Sequence, residues 1–191
     1  ANPGGGIAKL LDASTEFGPI IAAGLKANGL ILGTDTYETI LRFAKTLADA
    51  CDPLNYTSTV LANHPLLLLE VCGDLVVPNA AIAPGGTISP NPNGCATALA
   101  EASVTLTGFL SGTDPLISTL GLSIAGPLTT PIAQQAPLTG ASLGVAVRFN
   151  QGDHGSIIDN VVPAVTCEMQ REVAYFLASG GTTLPIGGTC P

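Results

Sequence analysis

Pro65-Leu66-Leu67-Leu68-Leu69-Glu70-Val71-Cys72-Gly73-Asp74 is the stretch that decides the fold. From Leu66 to Val71 only Glu70 is polar, with Pro65 before the run and Gly73 behind it. A strand with one wet face alternates apolar and polar residues. A strand apolar on both faces belongs inside a parallel sheet covered by helices on both sides. The spacing therefore predicts a short, doubly buried strand over 65–72, central in such a sheet. A second strand is expected over Leu143-Gly144-Val145-Ala146-Val147-Arg148-Phe149, followed by a polar, Gly-flanked turn over 150–156. Pro163, a good first-turn residue, opens a last helix, with Val165, Met169, Val173, Phe176 and Leu177 as its apolar stripe. Parallel strands flanked by helices make this an α/β protein.

Upstream of the Leu-rich run, a weak helix is expected over 17–27, stopped by Asn28-Gly29. A clearer one runs over 35–49, with Asp35 and Glu38 at capping-box spacing. Its apolar face is read as Tyr37, Ile40, Leu41, Ala44, Leu47 and Ala48. Between Asn79 and Gly140 the character changes: Pro, Gly, Asn, Thr and Ser dominate, with amphipathic pieces near 96–110 and 114–122. That is too long for a plain loop and reads as a cap-like insertion. The expected organisation is a partial core over 1–78, a cap over 79–140, and the remaining core with a His-bearing loop and last helix over 141–191.

Composition narrows the function. Fourteen acidic against 6 basic side chains, a charge of −8, argue against nucleic acid as a partner. With 46% apolar and only 10% charged residues the chain is not of disordered composition. No apolar run approaches the ~20 residues of a membrane span. The opening Ala1-Asn2-Pro3-Gly4-Gly5-Gly6 has neither Met nor a basic leader and reads as a cut end. Five cysteines, at 51, 72, 95, 167 and 190, include no CxxC and suit disulfides in an exported protein better than zinc. Two distant histidines give no metal cluster, and no cofactor is expected.

Chemistry-bearing residues gather behind the two strands: Cys72-Gly73-Asp74 after the first, Gly152-Asp153-His154-Gly155 after the second. In open parallel sheets, functional groups collect at the carboxyl ends of strands. An Asp and a His on neighbouring strand ends can share an orienting hydrogen bond that leaves the second imidazole nitrogen as a base. Asp74 as a turn residue and His154 as a loop histidine are the plain alternatives. Asp153 ranks below Asp74 as the acid, because a sequence neighbour of His154 usually points elsewhere. The one G-x-S-x-G, Gly140-Ala141-Ser142-Leu143-Gly144, is rejected as a nucleophile elbow. No apolar strand precedes it, a strand follows where a helix should, and it lies between the candidate Asp and His. His64, ahead of the first strand, belongs to the opposite end of the sheet. Gly4-Gly5-Gly6 lacks the context of a phosphate loop and suits a close backbone approach.

Several blocks resemble, in the same order, the bacterial extracellular lipases of the virulence-factor type, members of the α/β-hydrolase superfamily. They are Asn2-Pro3-Gly4-Gly5-Gly6-Ile7-Ala8, Asp52-Pro53-Leu54-Asn55-Tyr56, Glu70-Val71-Cys72-Gly73-Asp74-Leu75-Val76-Val77-Pro78-Asn79, Gly112-Thr113-Asp114-Pro115-Leu116, Val147-Arg148-Phe149, Gly152-Asp153-His154-Gly155-Ser156 and Glu168-Met169-Gln170. The resemblance is to the C-terminal part of that family. It implies the C-terminal part of an α/β-hydrolase fold, with Asp74 as triad acid and His154 as triad base. The nucleophilic serine and the oxyanion loop would lie on a missing N-terminal part. The expected activity is that of a secreted or outer-membrane-associated carboxylic-ester hydrolase, inactive without that part. Its expected partners are an ester or lipid substrate and the N-terminal part of the same precursor as a second chain, with at most peripheral contact with lipid surfaces. A non-catalytic secreted fragment, or a thioesterase, peptidase or polyester hydrolase on the same scaffold, are the competing readings. Within the cap, Leu106, Phe109, Leu110, Leu116, Ile117, Leu120 and Leu122 are acyl-pocket candidates, ordinary packing being the alternative. Cys167 with Cys190 is the first expected disulfide and Cys51 with Cys72 the second. That leaves Cys95 over, and the odd cysteine suits a bridge to the missing part.

Overall fold

The structure, a computed structural model, describes residues 4–80, 111–188 and 190. Three short helices come first: α1 (Ile7–Ala13), α2 (Gly18–Ala27) and α3 (Asp35–Ala48). Two 3₁₀ turns, Asp49–Cys51 and Pro53–Tyr56, lead into α4 (Thr57–Asn63) and β1 (Leu66–Val71). Further on come α5 (Thr113–Leu120), β2 (Ser123–Leu128), β3 (Leu138–Thr139), β4 (Gly144–Phe149), α6 (Pro163–Ala178) and β5 (Thr183–Leu184).

The fold is mixed α/β, built on a three-stranded parallel sheet in the order β1-β4-β2, with β3 and β5 forming a separate antiparallel pair. The two strands expected from the sequence are both present, and they pair from Leu66↔Gly144 to Val71↔Phe149. β1, expected at the centre, is the edge strand of the described sheet, and β4 takes the centre. The reason is topological. β2, from inside the stretch read as a cap, pairs with β4 on the side away from β1. Residues 113–128 are therefore part of the sheet-and-helix core rather than a cap. The segment 81–110 lies outside the described residues.

Both sheet faces are covered, which is what a run of leucines requires. Leu69, Val71, Val145, Val147 and Phe149 pack against Val165, Met169 and Phe176 of α6. Leu68 and Ala146 face Leu116, Ile117 and Leu120 of α5, with Leu122 beside them. Those four residues are thus core packing, which corrects their reading as acyl-pocket walls; Leu106, Phe109 and Leu110 lie outside the described residues. The α6 stripe holds at Val165, Met169 and Phe176, whereas Leu177 is 73% exposed.

Helix α3 departs from its expected form in two ways. Its N-cap is Thr34, whose hydroxyl accepts from Tyr37 N, so Asp35 and Glu38 do not form the capping box. Its buried face is Tyr37, Glu38 and Leu41, while Leu47 is 70% exposed. The cause is α1, which offers a polar seam: Tyr37 OH donates to Asp12, and Lys9 lies 2.7 Å from Asp12 and 3.5 Å from Glu38. A hydrophobicity pattern cannot register a buried seam made of charges.

The glycine-rich opening does make a close backbone approach: Gly5 and Gly112 exchange two main-chain hydrogen bonds. The buried Asp52 carboxylate accepts from Gly6 N and Ile7 N, both at 3.0 Å, and so caps α1 from a distant segment. Nothing in the local sequence announces that role.

Cys167–Cys190 is a disulfide, as expected. Cys51 with Cys72 is not. Cys51 is a free, exposed thiol, and Cys72 is disulfide-bonded. Among the described residues no helix is long and apolar enough to cross a membrane.

Candidate functional site

Asp74 and His154 stand on adjacent strand ends. Cys72 N donates to Phe149 O at 2.9 Å and carries the β1–β4 ladder one residue past β1. Gly73 then turns the chain with φ +82°, a left-handed conformation that glycine adopts without Cβ strain. This delivers Asp74 to the carboxyl end of the sheet, 4% exposed. One carboxylate oxygen, Oδ1, accepts from Val76 N at 2.8 Å and Val77 N at 3.1 Å. The other, Oδ2, lies 2.8 Å from His154 Nδ1. A buried carboxylate held by two backbone N–H groups has little freedom to turn away from the imidazole.

The His154 loop is built by its neighbours. Asp153 Oδ1 accepts from Gly155 N at 2.9 Å and from Ser156 Oγ at 3.2 Å, while Ser156 Oγ accepts from Asp153 N at 2.7 Å. Asp153 is consequently the architect of the turn, and its carboxylate serves the backbone rather than the imidazole. Gly152, at φ +114°, lies so close to Ser156 that a Cβ would come within 2.5 Å of Oγ.

The geometry assigns the imidazole tautomer. Nδ1 faces a carboxylate, so in the neutral ring the Nδ1–H tautomer suits this contact and Nε2 is the nitrogen left to accept. The His154 side chain is 40% exposed while that of Asp74 is fully buried, so the ring opens toward solvent and its anchor does not. Among the described residues no hydroxyl or thiol hydrogen-bonds to Nε2. Ser142 precedes β4 and His64 precedes β1, which places both at the amino ends of the strands, away from Asp74 and His154.

Beneath the pair lies a polar cluster that sequence reasoning missed. Glu70 and Arg148 are register partners on β1 and β4, both on the α5 side of the sheet. Arg148 Nε donates to Glu70 Oε2 at 2.6 Å, and its Nη2 donates to Asp114 of α5. All three are essentially unexposed. Burial pushes the Glu70 carboxyl above its usual range, Asp114 adds to the rise, and the Arg148 guanidinium opposes it. Arg148 was visible in the sequence only as a lone charge in an apolar strand, which was itself a signal. Among the described residues no group of three or more His, Cys, Asp and Glu is placed to hold a metal ion.

No family model, no curated protein and no solved structure matches this chain. What defines it is its own geometry: a mixed α/β protein with a parallel sheet and an oriented Asp–His pair at the carboxyl ends of two adjacent strands.

Proposed function

We propose that this chain is the acid- and base-bearing portion of a secreted serine carboxylic-ester hydrolase on an α/β-hydrolase scaffold. The observation that carries the reading is the 2.8 Å contact between Asp74 Oδ2 and His154 Nδ1 at the open end of the sheet. In the reaction a serine hydroxyl attacks the ester carbonyl while His154 Nε2 takes its proton. Asp74 holds the ring and stabilises the imidazolium. Backbone N–H donors bear the oxyanion. Collapse of the tetrahedral intermediate expels the alcohol, which receives the proton from Nε2, and water then cleaves the acyl-enzyme by the same route.

The serine and the oxyanion donors are assigned to an N-terminal part of the same precursor, packed on this chain as a second polypeptide. The outer edge of β1 supports this. Leu66 N and Cys72 N point to β4, so the main-chain groups of Leu67 and Leu69 point the other way, where no described strand pairs with them. Beside that edge runs an apolar groove of about 460 Å³, lined by Leu67, Leu69, Ile157, Val173, Phe176 and Leu177. An apolar strand whose edge meets no described strand is a docking template for another strand. Export to an oxidising compartment agrees with the Cys167–Cys190 disulfide. Lipid contact, if the substrate is a lipid, is peripheral.

The test is to assemble this chain with its N-terminal part and assay short-chain esters, then repeat with His154→Ala. Undiminished turnover by the variant would remove His154 from the mechanism. A panel of esters, thioesters, peptides and polyesters separates the hydrolase chemistries that share this pair. No turnover of any of them points to a non-catalytic binding fragment.

A further inference from the structure

We propose that Asn79 is the positioning residue of the site: its side-chain amide clamps the Gly73–Asn79 loop and thereby sets Asp74 on His154. The inference rests on the hydrolase reading for its catalytic meaning, and on geometry alone for the clamp.

Asn79 is 8% exposed, and every polar group of its side chain is used. Gly73 N donates to Oδ1 at 2.6 Å. Nδ2 donates to Glu70 Oε1 and to Val71 O, both at 2.9 Å. The orientation is forced, because a flipped amide would set a donor against Gly73 N–H and an oxygen against the Glu70 carboxylate. The main chain is held as well, since Asn79 O accepts from Asp114 N at 2.7 Å.

These bonds close a ring. Arg148 on β4 binds Glu70 on β1. Glu70 binds Asn79, and Asn79 binds Gly73. Gly73 precedes Asp74, which binds His154 six residues after Arg148. The loop that carries the acid is thus tied at both ends to the two strands whose ends must stay in register. Gly73 is the weak point, because its left-handed backbone has no Cβ to restrict it. The Gly73 N–H bond to Asn79 removes that freedom. A displacement of about 1 Å at a reacting group can cost roughly 10²-fold in rate. A clamp of this kind acts through Asp74 and touches no reacting atom.

A purely structural Asn79 would support the fold without acting on the imidazole, so the readout must be at His154. The chain has two histidines, so the His154 Nδ1 proton can be assigned by a His64→Ala variant. Its hydrogen-bonded resonance is followed by proton NMR in the chain as it stands, with Asp74→Asn as the reference for its loss. Asn79→Ala is expected to broaden or abolish this resonance while the fold, read by circular dichroism, persists. Should Asn79→Ala fail to fold, Asn79→Ser is read in the same way. In the assembled enzyme Asn79→Ala is expected to lower kcat roughly 10²-fold with little change in KM. A wild-type Nδ1 resonance in Asn79→Ala overturns the proposal. Absence of ester turnover in the wild-type assembly instead overturns the hydrolase reading and leaves the NMR comparison intact.

Discussion

Asp74 Oδ2 and His154 Nδ1 lie 2.8 Å apart although 80 residues separate them in the chain. The contact exists because β1 and β4 are parallel and adjacent, so both chains leave the sheet at the same end. The carboxylate is buried and the ring is exposed, so a fixed anchor holds an accessible imidazole.

Replacing Asp74 by Asn should leave the fold intact, since the amide oxygen can still accept from Val76 N and Val77 N. It removes the charge that selects the Nδ1–H tautomer and stabilises the imidazolium. In the assembled enzyme kcat for a short-chain ester should fall by roughly 10⁴, with KM within a few-fold. Turnover within tenfold of wild type would show that Asp74 does not orient His154.

Arg148→Met should destabilise the chain by about 3–5 kcal/mol, because Glu70 and Asp114 would stay buried without their counter-charge. Replacing all three by apolar residues of similar volume should recover most of that loss. Urea midpoints of the single and triple variants decide the matter; equal destabilisation would mean that packing, not charge, is at stake.

Glu172 on α6 is fully buried beside Glu168. Burial first, and the Glu168 carboxylate next, push it up to about 9. Since its folded value lies above its unfolded one, the folded chain holds a proton that the unfolded chain releases as pH rises past the ordinary carboxyl range. Stability should therefore fall between about pH 4.5 and 9 by at most about 1.4 kcal/mol per unit, then level off. Glu172→Gln should flatten that decline. Parallel pH–stability curves for wild type and variant would contradict it.

Without reductant, maleimide followed by peptide mapping should label Cys51 and spare Cys72, Cys167 and Cys190. Replacing Cys167 and Cys190 by Ser opens a loop of 23-residue separation and should cost about 3 kcal/mol. It should also release the tail that Glu168 holds through Gly187 N at 2.6 Å. Labelling at Cys167 in the unreduced protein would refute the pairing.

The strands were legible because their signal is local. Six nearly unbroken apolar residues between Pro65 and Gly73 cannot be left in water, and the same holds for 144–149. The last helix was legible from Pro163 and a periodic stripe. The sequence misled wherever the deciding partner was remote. Leu116, Ile117, Leu120 and Leu122 looked like pocket walls until β2 joined the sheet and drew α5 onto it. Leu47 looked buried until α1 presented Lys9 and Asp12 to the other side of α3. Cys51 was the expected partner of Cys72, yet it is a free thiol, because cysteine spacing does not fix connectivity.

By itself the sequence determined an α/β chain, two parallel-type strands, and Asp74 and His154 as the groups that end them. Hydrophobic periodicity and turn chemistry are short-range properties and are written into consecutive residues. Tertiary structure alone decided the strand order, the Glu70–Arg148–Asp114 cluster and the Asn79 clamp under Asp74. Each depends on which surfaces remain to be covered once the sheet has formed. Buried charges survive only where partners from other segments meet them, and no local pattern encodes that meeting.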